Sequence, residues 1–343
     1  MTEIHIRKEG RAGRITLTRA EALNALSHEM CREIETALDA WRDDPDVALI
    51  VMDADGDRAF CAGGDIGAVY RSAKEGRANE TAEFWSEEYR MNAKLAEYPK
   101  PIISLMQGFV MGGGVGIGCH GSHRVVEEKT QIAMPECGIG LVPDVGGSFL
   151  LAEAPGFLGE YLGITGERMA AGDAIYCGFA DYFVPREKWP ELIDVLCATG
   201  EASLVPAMAS AHPPAPLAAL QGEVDAAFSG DTFTEVAETV EASTSDALAR
   251  ARAAFAKNSP LSMRCTFELI RRVRTEPNIR FALEMEHRFT TRSVTTADIV
   301  EGVRAQIIDK DRNPQWKHKS WRDVSDEEVA AFYAPQDNPK LEF

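Results

Sequence analysis

The chain has 343 residues, enough for about two domains, and its 45% apolar and 26% charged composition is that of an ordinary globular protein. A disordered tail, a collagen and a disulfide-rich mini-protein are excluded on that basis. The formal net charge of −18 argues against non-specific nucleic-acid binding and against anionic membrane surfaces, so neither is expected as a partner. An anionic small ligand stays compatible if backbone N–H groups or a local basic patch hold it. Seven cysteines, an odd number without a CxxC pair, predict neither a disulfide framework nor a zinc site. A reducing cytoplasm fits that usage best, and the opening residues lack an apolar signal-peptide core.

In chain order, Ile15-Thr16-Leu17 reads as a strand. Ser27 is a candidate N-cap, followed by Met30, Ile34, Ala37, Leu38 and Trp41 at helical spacing. Asp43-Asp44-Pro45 should end that helix. Residues 47–52 form a continuous apolar run, as expected of a strand buried on both faces. Residues 102–106, 124–126 and 131–134 are further strand candidates. Residues 101–121 carry no Lys, Arg, Asp or Glu, a length that could span a bilayer, but seven of them are glycine. A glycine-rich buried turn is the better reading. Strands alternating with helical patterns over the first 190 residues predict an α/β fold. A proline-rich break at 211–217 precedes helical patterns at 234–257, 260–274, 279–292 and 297–309. The expected division is a core over 1–200 and a C-terminal helical region over 201–343.

Two glycine clusters stand out, Phe60-Cys61-Ala62-Gly63-Gly64-Asp65-Ile66 and residues 108–118. Gly116, Gly118 and Gly121 form a formal GxGxxG, but Glu127 follows too soon for the crossover helix and strand of a dinucleotide site. No P-loop, HExxH or GxSxG is present. Glycine permits close backbone approach to a ligand. Two N–H groups converging on one oxygen would stabilise an oxyanion. Two tight turns without chemistry are the plainer alternative.

Carboxylates occur in apolar surroundings. Between Ala133 and Ser148 the only charges are Glu136 and Asp144. Neighbouring buried carboxylates have raised and separated pKa values, which suits acid–base or nucleophilic chemistry. Alternatively, Asp144 caps a helix beginning near Val145 and Glu136 is a solvated strand end. Glu88 lies on the apolar stripe of Phe84, Met91 and Leu95, so it either enters a cavity or emerges at the helix edge. Asp65 reads as an N-cap, and His120 and His123 as structural histidines. Arg271, Arg272 and Arg274 read as a solvated helix face, with ligand phosphates as the alternative.

Taken together, these residues resemble the crotonase (enoyl-CoA hydratase/isomerase) superfamily, and within it the 3-hydroxyisobutyryl-CoA hydrolase branch. The resemblance rests on the first glycine cluster, Met111-Gly112-Gly113-Gly114-Val115-Gly116, Met134-Pro135-Glu136, residues 139–147, and a tail motif spanning Glu301 to Trp316. It implies a crotonase-like ββα-superhelix core binding an acyl-CoA substrate. It implies oxyanion-hole N–H groups at Gly64 and Gly113, a catalytic carboxylate at Glu136, a second acid at Asp144 and a substrate contact at Glu88. No separate cofactor or metal is implied, because CoA is part of the substrate. A homo-oligomer is compatible with a superfamily that often forms trimers or hexamers. Enoyl-CoA hydratases carry a second glutamate where this chain has Gly116, and a glycine where it has Asp144, which favours thioester hydrolysis over hydration. An enoyl-CoA hydratase or isomerase, and a non-catalytic acyl-CoA-binding protein, are the alternatives. Arg58, Arg304 and Lys310 are candidates for the CoA phosphates.

Overall fold

The computed structural model describes residues 3–335 and 341–343. It is mixed α/β, as the alternating patterns predict. Ten strands are described: β1 (Ile4–Glu9), β2 (Ala12–Leu17), β3 (Leu49–Ala54), β4 (Ala59–Cys61), β5 (Ile102–Met106), β6 (Phe109–Met111), β7 (His123–Val126), β8 (Gln131–Ala133), β9 (Met169–Ala170) and β10 (Tyr182–Phe183). They form a six-stranded sheet in the order β1-β2-β3-β5-β7-β10 and a four-stranded sheet in the order β4-β6-β8-β9.

The connectivity explains this split. Each of the pairs β3/β4, β5/β6 and β7/β8 gives its first strand to the larger sheet and its second to the smaller one. Helical chain follows each pair, and each new pair lies parallel to the last. This is a ββα superhelix of three turns. The apolar run at 47–52 becomes β3, paired in parallel with β2 and β5 and buried throughout. Central parallel strands are covered on both faces, so an unbroken apolar run is what they require.

Contacts group the chain into two units. The first holds residues up to Gly64, Arg90–Ala133 and Arg168–Pro216; the second holds Asp65–Tyr89, Met134–Glu167 and the residues from Leu217 onward. Every described strand lies in the first unit. Its core packs Leu49, Val51, Ile103, Leu105 and Val125 against Trp189, Leu192 and Leu196 of the helix Trp189–Thr199. Burying each such side chain stabilises the fold by about 1.5–3 kcal/mol. Helix α1 (His28–Arg42) starts where expected, with the Ser27 side chain accepting from Met30 N at 3.3 Å. All five of its predicted apolar positions are buried.

The second unit is helical. It includes α2 (Ile66–Lys74) and most of α3 (Ala78–Ala96), whose last turns belong to the first unit. Asp65 caps α2 by accepting from Ala68 N at 3.3 Å. The glycine-rich stretch at 101–121 is no membrane span: it builds β5, β6 and α4 (Gly113–Gly118), and no described helix is long and apolar enough to cross a membrane.

Candidate active site

The glycine turns lie in the first unit. Strands β4 and β6 are adjacent and parallel, so the turns after Cys61 and Met111 leave the same end of the sheet. The first turn is fixed by Ala62 N donating to Leu23 O at 3.0 Å and Leu26 N donating to Gly63 O at 2.9 Å. Gly63 has a φ of +115°, which L side chains rarely adopt. The second turn abuts it. A Cβ on Gly114 would stand 2.1 Å from Cys61 O, so only glycine allows this approach. Gly64 and Gly113 thus follow neighbouring parallel strands within three residues. Gly113 opens α4, where the helix itself offers its N–H no acceptor.

The buried carboxylates lie in the second unit. Glu136 opens a 3-10 turn, Glu136–Ile139, and is buried; its Oε2 has no hydrogen-bond partner. Asp144 is buried and accepts a hydrogen bond from the Tyr89 hydroxyl at 2.7 Å. It is therefore not the helix cap that its local sequence allowed. Helix α5 (Gly147–Glu153) begins three residues later, with Gly146 at its N-cap. The capping acceptor is Glu286, on the helix Ile279–Thr296. Its carboxylate accepts from Gly146 N at 2.8 Å, from Ser148 N at 3.1 Å and from the Ser148 hydroxyl. Val145 is held at a φ of +55°. A β-branched residue in that region costs on the order of 1–3 kcal/mol, so the surrounding bonds must enforce the turn.

Burial raises the pKa of every acid in this cluster. Glu136 is pushed well above the usual carboxylate range by burial, then by the charge of Asp144. Glu88, fully buried with Oε1 unpartnered, is raised for the same two reasons. Asp144 is pushed by burial up to about 6, with the Tyr89 hydroxyl pulling it back. Burial takes Glu286 up to about 8 against the opposing pull of its Ser148 and Gly146 donors. Burial thus disfavours the charged form of all four acids.

Ser86 lies 2.9 Å from His287 Nε2 and 2.7 Å from Ala82 O. Burial pushes the pKa of His287 down to about 4.

Two expectations from the sequence are corrected. Arg271 and Arg274 are not a solvated face: each stands 2.8 Å from the carboxylate of Glu160, which is 0% exposed, and Arg272 pairs with Glu268. Arg304 pairs with Glu301, Asp309 and Asp311, so its donors are spent within the chain and do not await phosphates. Tyr89 and Glu286 had not been singled out. The signal for Glu286 was present, because it shares a stripe with Ala282, Leu283 and Phe289, as Glu88 does with its own apolar neighbours.

A ββα superhelix with glycine turns after parallel strands defines a crotonase-type fold. The sequence model of the Enoyl-CoA hydratase/isomerase family matches residues 12–333, and the chain belongs to that family. Among curated relatives, the mitochondrial 3-hydroxyisobutyryl-CoA hydrolase of Gallus gallus is 35% identical, covering 99% of this chain and 90% of its own. The 3-hydroxyisobutyryl-CoA hydrolase 1 of Arabidopsis thaliana is also 35% identical, over 93% of this chain and 88% of its own. Among solved structures, an enoyl-CoA hydratase from Rhodobacter sphaeroides 2.4.1 is 49% identical with a TM-score of 0.95 over the whole of both chains. A carnitinyl-CoA dehydratase from Mycobacterium thermoresistibile is 39% identical with a TM-score of 0.95, over 100% of this chain and 99% of its own.

Proposed function

We propose that this chain hydrolyses acyl-CoA thioesters, with 3-hydroxyisobutyryl-CoA as substrate, the step of valine degradation that yields 3-hydroxyisobutyrate. The observation that carries this reading is the buried Glu136–Asp144 pair, together with a glycine at position 116. Hydration of a double bond by two glutamates lacks its second glutamate here. Hydrolysis needs an oxyanion hole and one carboxylate that attacks or activates water. The names of the hydrolase relatives support the same reading.

In this mechanism the N–H groups of Gly64 and Gly113 hold the thioester oxygen. Donors aimed at a developing oxyanion typically contribute a hundredfold or more to rate. Ionised Glu136 either attacks the acyl carbon or removes a proton from water. On the first route the C–S bond breaks, the CoA thiolate takes a proton from the acid pair, and water then cleaves the mixed anhydride. Asp144 exchanges the pair's proton with Glu136, so that one is ionised while the other is protonated. Tyr89 orients Asp144, and Glu88 contacts the substrate. Catalysis resides in residues 1–200, and Glu286 of the 201–343 region supports it. All seven cysteines are buried free thiols, which supports a reducing compartment such as the cytoplasm.

The test is CoA release from 3-hydroxyisobutyryl-CoA, followed by chromatography, for wild type and Glu136→Gln. The variant should lose a factor of about 10²–10⁴, as expected for a positioned acid or base. Hydration of crotonyl-CoA without CoA release would instead establish the hydratase, with Asp144 in place of the missing glutamate. One turnover in heavy-oxygen water tests the first route: label in the Glu136 side chain excludes a purely general-base role.

A further inference from the structure

Asn92 is fully buried in α3, and neither its amide nitrogen nor its amide oxygen has a hydrogen-bond partner among the described residues. Native interiors pair about nine-tenths of such groups. Glu88, one turn earlier, also has a buried oxygen without a partner, and Thr81, two turns before that, has an unpartnered buried hydroxyl. Spacings of seven and four residues place all three on one stripe of the helix. The rest of the buried surface of α3 is mainly apolar, with Trp85, Met91 and Leu95. Residues four apart on a helix have Cβ atoms about 5–6 Å apart, and the later side chain leans back over the earlier one. Asn92 and Glu88 are therefore neighbours on that stripe, yet they do not bond to each other.

We propose that Asn92 is a specificity-determining residue that, with Glu88, hydrogen-bonds the hydroxyl group of a hydroxyacyl-CoA substrate. This rests on the thioester-hydrolase reading above. A hydroxyl needs one donor and one acceptor. The Asn92 amide N–H donates to its oxygen, and the Asn92 carbonyl or the Glu88 oxygen accepts its proton. The thioester oxygen cannot be the group in question, because backbone N–H groups hold it. A plain acyl chain would leave both side chains unpaired, and sites built around a substrate hydroxyl reject the analogue lacking it strongly.

The test compares wild type and Asn92→Leu on 3-hydroxyisobutyryl-CoA and isobutyryl-CoA, which share the whole CoA moiety. Wild type should prefer the hydroxylated thioester by at least 10² in kcat/KM, and Asn92→Leu should bring that ratio to within about threefold of one. The variant should also melt at a higher temperature, since it replaces an unpaired buried amide by an apolar group of similar size; a merely structural asparagine would melt lower. Equal proportional losses on both substrates would place Asn92 against the CoA moiety and overturn the proposal, as would an unchanged ratio. Should Asn92→Leu not fold, Asn92→Ala is read by the same ratio. If wild type hydrolyses neither thioester, the reaction assignment fails, and calorimetric binding of the two thioesters decides separately. A hydroxyl preference lost in the variant supports Asn92, and equal affinities overturn it.

Discussion

Substituting Asp144 by asparagine should make the protein more stable and less active, with a stability gain that depends on pH. Burial lifts the Asp144 carboxyl from its ordinary 3.8 to about 6. That is about two pH units at about 1.4 kcal/mol each, so ionised Asp144 costs the folded state about 3 kcal/mol. The sign follows from the raised folded pKa. Below about pH 4 the carboxyl is protonated whether folded or unfolded, and the substitution gains nothing. Between pH 4 and 6 the unfolded chain releases the proton first, and the penalty grows. Above 6 it is complete. Asparagine carries no charge and can still accept the Tyr89 hydroxyl. Unfolding entropy of about 2.1 cal/mol/K per residue over 343 residues converts 3 kcal/mol into about 4 °C. Calorimetric melting of wild type and Asp144→Asn should therefore differ by about 4 °C at pH 7.5 and by about half that at pH 5. CoA release should meanwhile fall at least a hundredfold, and its residual rise with pH should move to lower pH, because Glu136 no longer ionises beside a like charge. A variant that melts below wild type at pH 7.5, or a difference that is flat across this range, would refute the electrostatic account.

Two further substitutions probe the scaffold on which the site stands. Glu286→Ala leaves the Gly146 and Ser148 donors without their acceptor and should destabilise by about 3 kcal/mol in chemical denaturation; Ser148→Ala, which removes one of the three bonds, should lose about 1 kcal/mol. Equal, small effects would mean that the strained Val145 turn does not depend on Glu286. Gly114→Ala places a methyl group 2.1 Å from the backbone oxygen of Cys61 and should cut CoA release at least tenfold by parting the two glycine turns. Retained activity would show that their close approach is dispensable.

The sequence was most legible where one element decides its own form. Residues 102–106 are a strand to the residue, because a buried parallel strand is an unbroken apolar run. The run at 47–52 is displaced by two residues, since its first two members precede β3 (Leu49–Ala54). Strands β4 and β6 have three residues each, too few for any periodicity. Their pairing with one another makes them strands. Partners distant in sequence were hidden altogether. Arg274 meets Glu160 across 114 positions, and no local pattern distinguishes that from a solvated face.

The acids show which part of a site a sequence can reveal. Burying a carboxylate costs stability unless it is paired, so an acid among apolar neighbours always has a reason to be there. The sequence locates such acids, as it did Glu88, Glu136 and Asp144, but it does not supply the reason. Glu160 meets two arginines, and Glu286 receives three donors and holds a turn. Their oxygens serve the fold. Among the described residues, Glu88 and Glu136 each keep an oxygen with neither a hydrogen-bond partner nor an ion pair. Asn92 keeps both ends of its amide in that state. Polar atoms that the fold buries and then leaves unpaired are the ones a substrate can complete, and on that criterion Asn92 belongs with the two glutamates rather than with the core around it.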